Sequence, residues 1–438
     1  MSTPKRTALE KARAATQMSQ VQTGIPLSLN VNEVTGRIEY PSDFYRAKRS
    51  NSWLTYMPQV GTQELNTGSL GYTHHAMIEM QCHFDAVRIP LVNYDTASTQ
   101  TYDAVAVSVG GDRANALNSA GAWVDVTFGG SASVTVPIAV LKNGHVYPGI
   151  VLSDPIRVAS VDRTDGGTLP LLYVRVYMST GAGKNFSVWT HSNTGLSTGF
   201  AYTGRRFVSR YQSGNFVASP ASMTDNSQRA FSPIFGASIL PRARAPITVA
   251  AFGDSITRWG TDFGRGWLHD AVQDGSRTDA PVDYCNFGVS SSVSGEFLLA
   301  AQRVIPVLLP QFAMWPIWTP NGGPSAVADM RGDLRQFLEL CDTYRVTPIL
   351  WTGTPRSTGA NETPYYSGGD DAQRLQWIED ARQIASAVVV DTHTALSTTT
   401  APAAYRIGMT TDGVHPYTDA GKAAMVSSIR STLAALSA

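Results

Sequence analysis

The stretch Pro246-Ile-Thr-Val-Ala-Ala-Phe252, followed at once by Gly253-Asp-Ser-Ile-Thr257, decides how this chain is read. A short apolar run bounded by turn residues predicts a buried strand. The Gly-Asp-Ser that ends it predicts a tight turn presenting one hydroxyl, that of Ser255. Far downstream lies Asp412-Gly-Val-His415-Pro416, an acid and an imidazole close together on one loop. A serine at a strand end with an Asp-x-x-His pair supplies a nucleophile, a base and a group to orient the base.

Outward from that stretch, strand and helix alternate. Strands are predicted at Ile247–Phe252, Val282–Phe287, Phe312–Trp318, Pro348–Trp351 and Ala387–Asp391. Between the third and fourth, Val327, Met330, Leu334, Phe337, Leu338, Cys341 and Tyr344 recur at helical spacing and form one apolar stripe. Tyr417 to Leu436 reads as a closing helix. Alternating β and α units imply a parallel sheet covered on both faces, with its site at the strand C-termini. Ser255, Gly288, Asn321, Asp412 and His415 all fall at that rim. Backbone N–H groups of Ser255 and Gly288 and the Asn321 amide are the expected oxyanion donors, and His415 is expected to take the Ser255 proton while Asp412 fixes its tautomer.

Upstream the texture differs. From about 70 to 200, short β-rich segments such as Tyr102–Ser108, Trp123–Phe128, Val134–Val136, Ile156–Val161 and Leu171–Met178 are separated by Gly, Asn, Asp and Ser. That pattern argues for an antiparallel, jelly-roll-like β-sandwich. Residues 200–245 show no clear period, and Pro241–Pro246 reads as a linker. The expected division is an arm over 1–60, a β-domain with linker over 61–245 and an α/β domain over 246–438. Within the arm, Thr7–Met18 is a candidate helix.

At 438 residues two domains are the default. Lys+Arg and Asp+Glu balance at 34 each, so there is no electrostatic case for nucleic acid or an anionic membrane. Residues Met1–Gln22 carry Lys5, Arg6, Lys11 and Arg13 without an apolar core, so neither a secretory signal nor a transmembrane segment is expected. Action outside the cell as part of a particle stays open. Cys82, Cys285 and Cys341 form no C-x-x-C, and Cys285 and Cys341 sit in apolar patterns and read as small core residues. His74, His75, Glu79, Cys82 and His83 cluster, but match no zinc spacing, so no metal is expected. Trp315 is assigned to the core. Trp318, Trp351, Tyr365 and Tyr366, near the rim, are candidates for shaping a substrate pocket, with the loop Thr352–Asp371 as a lid.

Gly253-Asp-Ser-Ile256, Gly288, Asn321 and Asp412-x-x-His415 resemble, in that order, the sequence blocks of the SGNH hydrolases, the GDSL-type esterases and lipases. The resemblance covers residues 246–438. It implies a three-layer α/β/α, flavodoxin-like domain with a parallel five-stranded sheet and no cofactor. It also implies Ser255 as nucleophile, with an oxyanion hole from Ser255, Gly288 and Asn321. The third block departs from the family's Gly-x-Asn-Asp, reading Thr319-Pro-Asn321-Gly322. Val126-Thr-Phe-Gly-Gly130, Val134-Thr-Val-Pro137, Ser153-Asp-Pro-Ile156 and Val174-Arg-Val-Tyr177 are similar to the β-domain that precedes the hydrolase in some secreted bacterial members. The expected function is a serine ester hydrolase acting on acetylated carbohydrate. The alternatives are a lipase or thioesterase for longer acyl chains, or an inactive glycan-binding or structural protein of a particle.

Overall fold

The computed structural model describes residues 70–437, with breaks at 81, 113–118, 180–185, 188–206, 218–222, 225–230, 235, 243–246, 260–266, 269, 272–281, 361, 385–386 and 399–401. Of residues 1–69 it describes 30–31, 38–39 and 51–53. The candidate helix Thr7–Met18 lies outside the described residues.

The α/β domain is built on five parallel strands, β1 (Ile247–Gly253), β2 (Val282–Gly288), β3 (Phe312–Pro316), β4 (Thr347–Trp351) and β5 (Val388–Val390). Their order is β2-β1-β3-β4-β5, so the chain steps one way from β1 and then reverses to the other side. The principal helices are α1 (Ser255–Trp259), α2 (Ser294–Leu308), α3 (Val327–Tyr344), α4 (Gly368–Arg382) and α5 (Asp419–Ser437). Each β-strand side chain alternates between two cores, as period two requires. Ala250, Phe252, Trp315 and Leu350 pack with residues of α2, α3 and α4. Val249, Ala251, Met314, Ile349 and Trp351 pack on the other face with Ile256 of α1 and Met425, Ile429 and Leu433 of α5. The helical stripe behaves as its spacing demands. Val327, Met330, Leu334, Phe337 and Cys341 are all buried.

The sheet edges differ slightly from expectation. β3 stops at Pro316, because Pro316 offers no N–H to carry the ladder further. Trp318 therefore lies on the loop after the strand.

Before β1 the strands are antiparallel. One sheet orders Phe207–Ser213, Tyr72–Glu79, Leu171–Met178, Ala104–Val109 and Val124–Asp125. A second orders Ile156–Arg157, Phe84–Arg88, Gly236–Pro241 and Asn51–Trp53. Ala76, Ile78, Val107 and Val174 of the first share a core with Val87 and Ile239 of the second. This is the expected sandwich. Three segments correct the reading of its ends. Phe207–Ser213 and Gly236–Pro241, read as aperiodic, are full members of the two sheets. Asn51–Trp53, assigned to the arm, pairs with Gly236–Ser238. Backbone pairing needs no alternation, so polar strands such as Phe-Val-Ser-Arg-Tyr-Gln-Ser carried no periodic signal. The expected strand Tyr102–Ser108 is divided at Asp103, whose N–H bonds Tyr177 O instead (2.9 Å).

The quoted glycine motifs have a local explanation. The Asp154 carboxylate accepts the N–H groups of Gly129 and Gly130 (3.0 and 2.8 Å) and the Thr127 hydroxyl (2.7 Å), closing one turn. The sandwich also docks against α2. There Glu296, 1% exposed, accepts from His145 Nδ1 (2.8 Å) and the Tyr147 hydroxyl (3.2 Å). Arg303 donates to the carbonyls of Pro148 and Ile138 (2.7 and 3.0 Å).

The polar cluster of the first sheet is dispersed among separate partners. Glu79 pairs with Arg163 (2.7 Å), His75 accepts from Arg175 Nε (3.0 Å), and His83 meets Ser160 Oγ (3.0 Å). Each side chain is held for packing or pairing; the described residues do not converge on one ligand point.

Candidate active site

The turn after β1 is forced by two close approaches. Gly253 sits at φ 154°, and a Cβ there would lie 2.1 Å from Thr257 Oγ1. The chain then enters α1 at Ser255, so the Ser255 N–H, first in its helix, has no acceptor within that helix. Asp254 points inward instead. It is fully buried, accepts from the Thr319 hydroxyl (2.5 Å) and the Ile256 N–H (2.9 Å), and staples the nucleophile turn to the loop after β3. Burial pushes its carboxyl above the ordinary range, with the Thr319 hydrogen bond opposing.

His415 arrives from the loop before α5. Its Nε2 lies 2.8 Å from Ser255 Oγ, across 160 residues of sequence. On its other side Nδ1 donates to Asp412 Oδ2 at 2.6 Å. The second Asp412 oxygen accepts the backbone N–H groups of Val414 and His415, both at 2.8 Å, and the Thr410 hydroxyl at 3.2 Å. Partial burial raises the Asp412 pKa, but the hydrogen bonds from the His415 ring and from the two backbone N–H groups outweigh it and bring the carboxyl down to about 2. The acid is therefore ionised at neutral pH and holds the imidazole with its proton on Nδ1. Nε2 is left to accept from Ser255. The three side chains form a continuous line from alcohol to carboxylate.

Asn321 follows β3 as expected and is solvent-exposed. One amide hydrogen is given to Ser292 O (2.9 Å), which leaves the other for a ligand. Gly288 corrects the sequence reading. Its N–H donates to Asn286 Oδ1 at 2.8 Å and is thereby committed inside the protein. The position needs glycine for another reason, since a Cβ would lie 2.4 Å from the Arg258 backbone nitrogen. The turn beyond it closes on the nucleophile. Val289 N–H donates to Gly253 O (2.8 Å), and the Ser292 hydroxyl lies between Val289 O (2.6 Å) and Gly253 O (3.2 Å). Within that turn Ser291 is exposed and held at φ 64°, a conformation that costs a non-glycine residue energy. A serine in a Val-Ser-Ser-Ser-Val run carries no sequence signal for a positive φ, so Ser291 was missed.

The aromatic candidates separate cleanly. Trp318 and Trp351 are 1% and 0% exposed and belong to the core, the first edge-on to Tyr366 (5.9 Å) and the second against Trp267 (5.7 Å). Tyr366 is buried as well. Of the four, Tyr365 alone presents half its surface to solvent, with the Arg356 guanidinium 3.7 Å over its ring. Arg356 in turn donates to Pro320 O (3.1 Å), next to Asn321. The lid loop is tied down by Ser357 N–H to Gly413 O (2.9 Å), so it meets the loop that carries Asp412 and His415.

A parallel sheet ordered 2-1-3-4-5, with Gly-Asp-Ser at the end of its first strand and Asp-x-x-His before its last helix, is the α/β arrangement that the resemblance to the SGNH hydrolases implied. Solved structures similar to this chain include a GDSL-like lipase from Bacteroides thetaiotaomicron, 20% identical over 43% of this chain and 88% of that one, with a TM-score of 0.34. Another is a variant of an acetyl xylan esterase from Geobacillus stearothermophilus, 18% identical over 43% of this chain and 94% of that one, with a TM-score of 0.33. No family model and no curated protein matches the chain.

Proposed function

We propose that this protein is a serine ester hydrolase acting through an acyl-enzyme. The observation that carries the reading is the unbroken line Ser255 Oγ, His415 Nε2, His415 Nδ1, Asp412 Oδ2, with contacts of 2.8 and 2.6 Å. Ser255 attacks the ester carbonyl as its proton passes to His415 Nε2. The imidazolium, held by Asp412, returns that proton to the leaving alcohol. Water then attacks the acyl carbonyl as it loses a proton to His415, and His415 returns that proton to Ser255 Oγ as the acid leaves. For the oxyanion we assign the Ser255 N–H, the remaining Asn321 amide hydrogen and, in place of Gly288, the backbone of Ser291.

Within the class we favour acetyl esters of carbohydrate. Of the four aromatic candidates Trp318, Trp351 and Tyr366 are buried, and Tyr365 reaches solvent at the rim, flanked by Arg356 and by the exposed Asn321. A polar rim with one aromatic face suits a sugar better than a long acyl chain. Turnover of p-nitrophenyl acetate, butyrate and decanoate tests the chain length, and acetate release from a panel of acetylated polysaccharides tests the alcohol. Preference for decanoate would overturn the acetylesterase assignment. Failure of a fluorophosphonate to label Ser255 in folded protein would overturn the hydrolase itself and favour a binding module.

A further inference from the structure

We propose that Tyr417 is a positioning residue that keeps the imidazole facing the nucleophile, an inference that rests on the ester-hydrolase reading. Its ring stacks on His415 with centroids 4.6 Å apart and planes 13° from parallel. Its hydroxyl donates to the backbone carbonyl of Ser255 at 3.3 Å, and its own N–H donates to His415 O at 2.9 Å. One side chain thus touches both segments that must meet at the Ser255–His415 contact.

The need for it follows from where His415 sits. The imidazole is on a loop and partly exposed, and Asp412 grips it at Nδ1 alone. A single in-plane hydrogen bond leaves the ring free to tilt about the Nδ1–Oδ2 line. That tilt swings Nε2 away from Ser255. A ring laid flat against the imidazole face blocks the motion, and the hydroxyl anchor keeps the blocking ring registered to Ser255 itself. In sequence Tyr417 reads only as the first residue of the closing helix, which in the structure begins at Asp419.

The test compares wild type, Tyr417→Phe, Tyr417→Leu and Ser255→Ala, using fluorophosphonate labelling rates, p-nitrophenyl acetate kinetics and the NMR signals of the His415 ring protons. Tyr417→Phe keeps the stack and loses the anchor, and its labelling rate is expected to fall about 3- to 10-fold. Tyr417→Leu loses both and is expected to fall on the order of 100-fold, in kcat with KM little changed. The upfield ring-current shift of the His415 protons is expected to survive in Tyr417→Phe, showing that the stack is kept when the anchor is lost, and the fall in kcat at unchanged KM is what a purely structural role would not produce. Wild-type labelling with equal labelling of Tyr417→Leu overturns the role of Tyr417 and leaves the hydrolase standing. Unlabelled wild type overturns both. Should Tyr417→Leu not fold, an unchanged labelling rate in Tyr417→Phe overturns the proposal on its own.

Discussion

Asp412→Asn is the most informative single change, because the surrounding hydrogen bonds dictate how the new amide must sit. In the wild type one carboxylate oxygen accepts the N–H groups of Val414 and His415, and the other faces His415 Nδ1. An asparagine has one oxygen to offer, and two fixed backbone donors claim it. Its NH₂ is then turned toward Nδ1. The imidazole must accept there, so its proton moves to Nε2, and Nε2 can no longer take the Ser255 proton. Turning the amide over restores the productive tautomer only by forfeiting both backbone hydrogen bonds, at about 1 kcal/mol each for donors that water can reach. The sum, roughly 2 kcal/mol, corresponds to a loss of about 30-fold in kcat/KM. Steady-state hydrolysis of p-nitrophenyl acetate at neutral pH measures it. Asp412→Ala gives the sharper contrast, since it removes the wrong donor and lets water serve Nδ1. It is expected to retain more activity than Asp412→Asn. An Asp412→Asn enzyme within threefold of wild type, or an alanine variant clearly worse than the asparagine one, would refute the tautomer argument.

Other changes probe the frame around the site. Ser255→Ala is expected to abolish turnover and labelling while shifting stability by no more than about 1 kcal/mol in a denaturant melt, since one small hydroxyl is removed. Gly288→Ala places a Cβ 2.4 Å from the Arg258 nitrogen, so it is expected to cost about 1–3 kcal/mol and to displace α1; a neutral melt would contradict the packing role assigned to that glycine. Asp371 lies buried, with Arg374 Nε and Nη2 on one oxygen (2.9 and 2.6 Å) and the Ala403 N–H on the other (2.6 Å). Asp371→Ala strands a buried guanidinium and is expected to destabilise by about 3–5 kcal/mol. Because the folded pKa of Asp412 lies below its unfolded value, its stabilising contribution is full above about pH 4 and is lost as pH falls toward 2. The melting-temperature gap between wild type and Asp412→Asn should therefore narrow over that range.

What could be read from residues follows from which forces leave a trace in them. The parallel sheet buries both faces, so β1 to β5 are continuous apolar runs, and each was found within a few residues. α3 buries one stripe, and the stripe was visible. The sandwich strands at Phe207–Ser213 and Asn51–Trp53 join their sheets through backbone hydrogen bonds, which any sequence can make, and both were missed.

The site divides along the same line. Ser255, Asp412 and His415 are chemically distinctive and sit in compact turns, so type and spacing sufficed to single out three side chains that the fold brings into contact. Two of the three proposed oxyanion donors are backbone groups, and a backbone N–H has no letter of its own. A glycine beside a strand end invites the donor role, but the same glycine is equally demanded by the Arg258 nitrogen, and only Asn286 Oδ1 at 2.8 Å distinguishes the two. The aromatic residues failed for a related reason. Trp318 and Trp351 are close to the rim in sequence, yet period two turns Trp351 to the α5 face, and the early end of β3 lets Trp318 fold back under Tyr366. Proximity along the chain locates a side chain only to within one strand face, about half of what a claim about substrate contact requires. The same limit hid Tyr417, whose two contacts join residues that the sequence sets 160 positions apart.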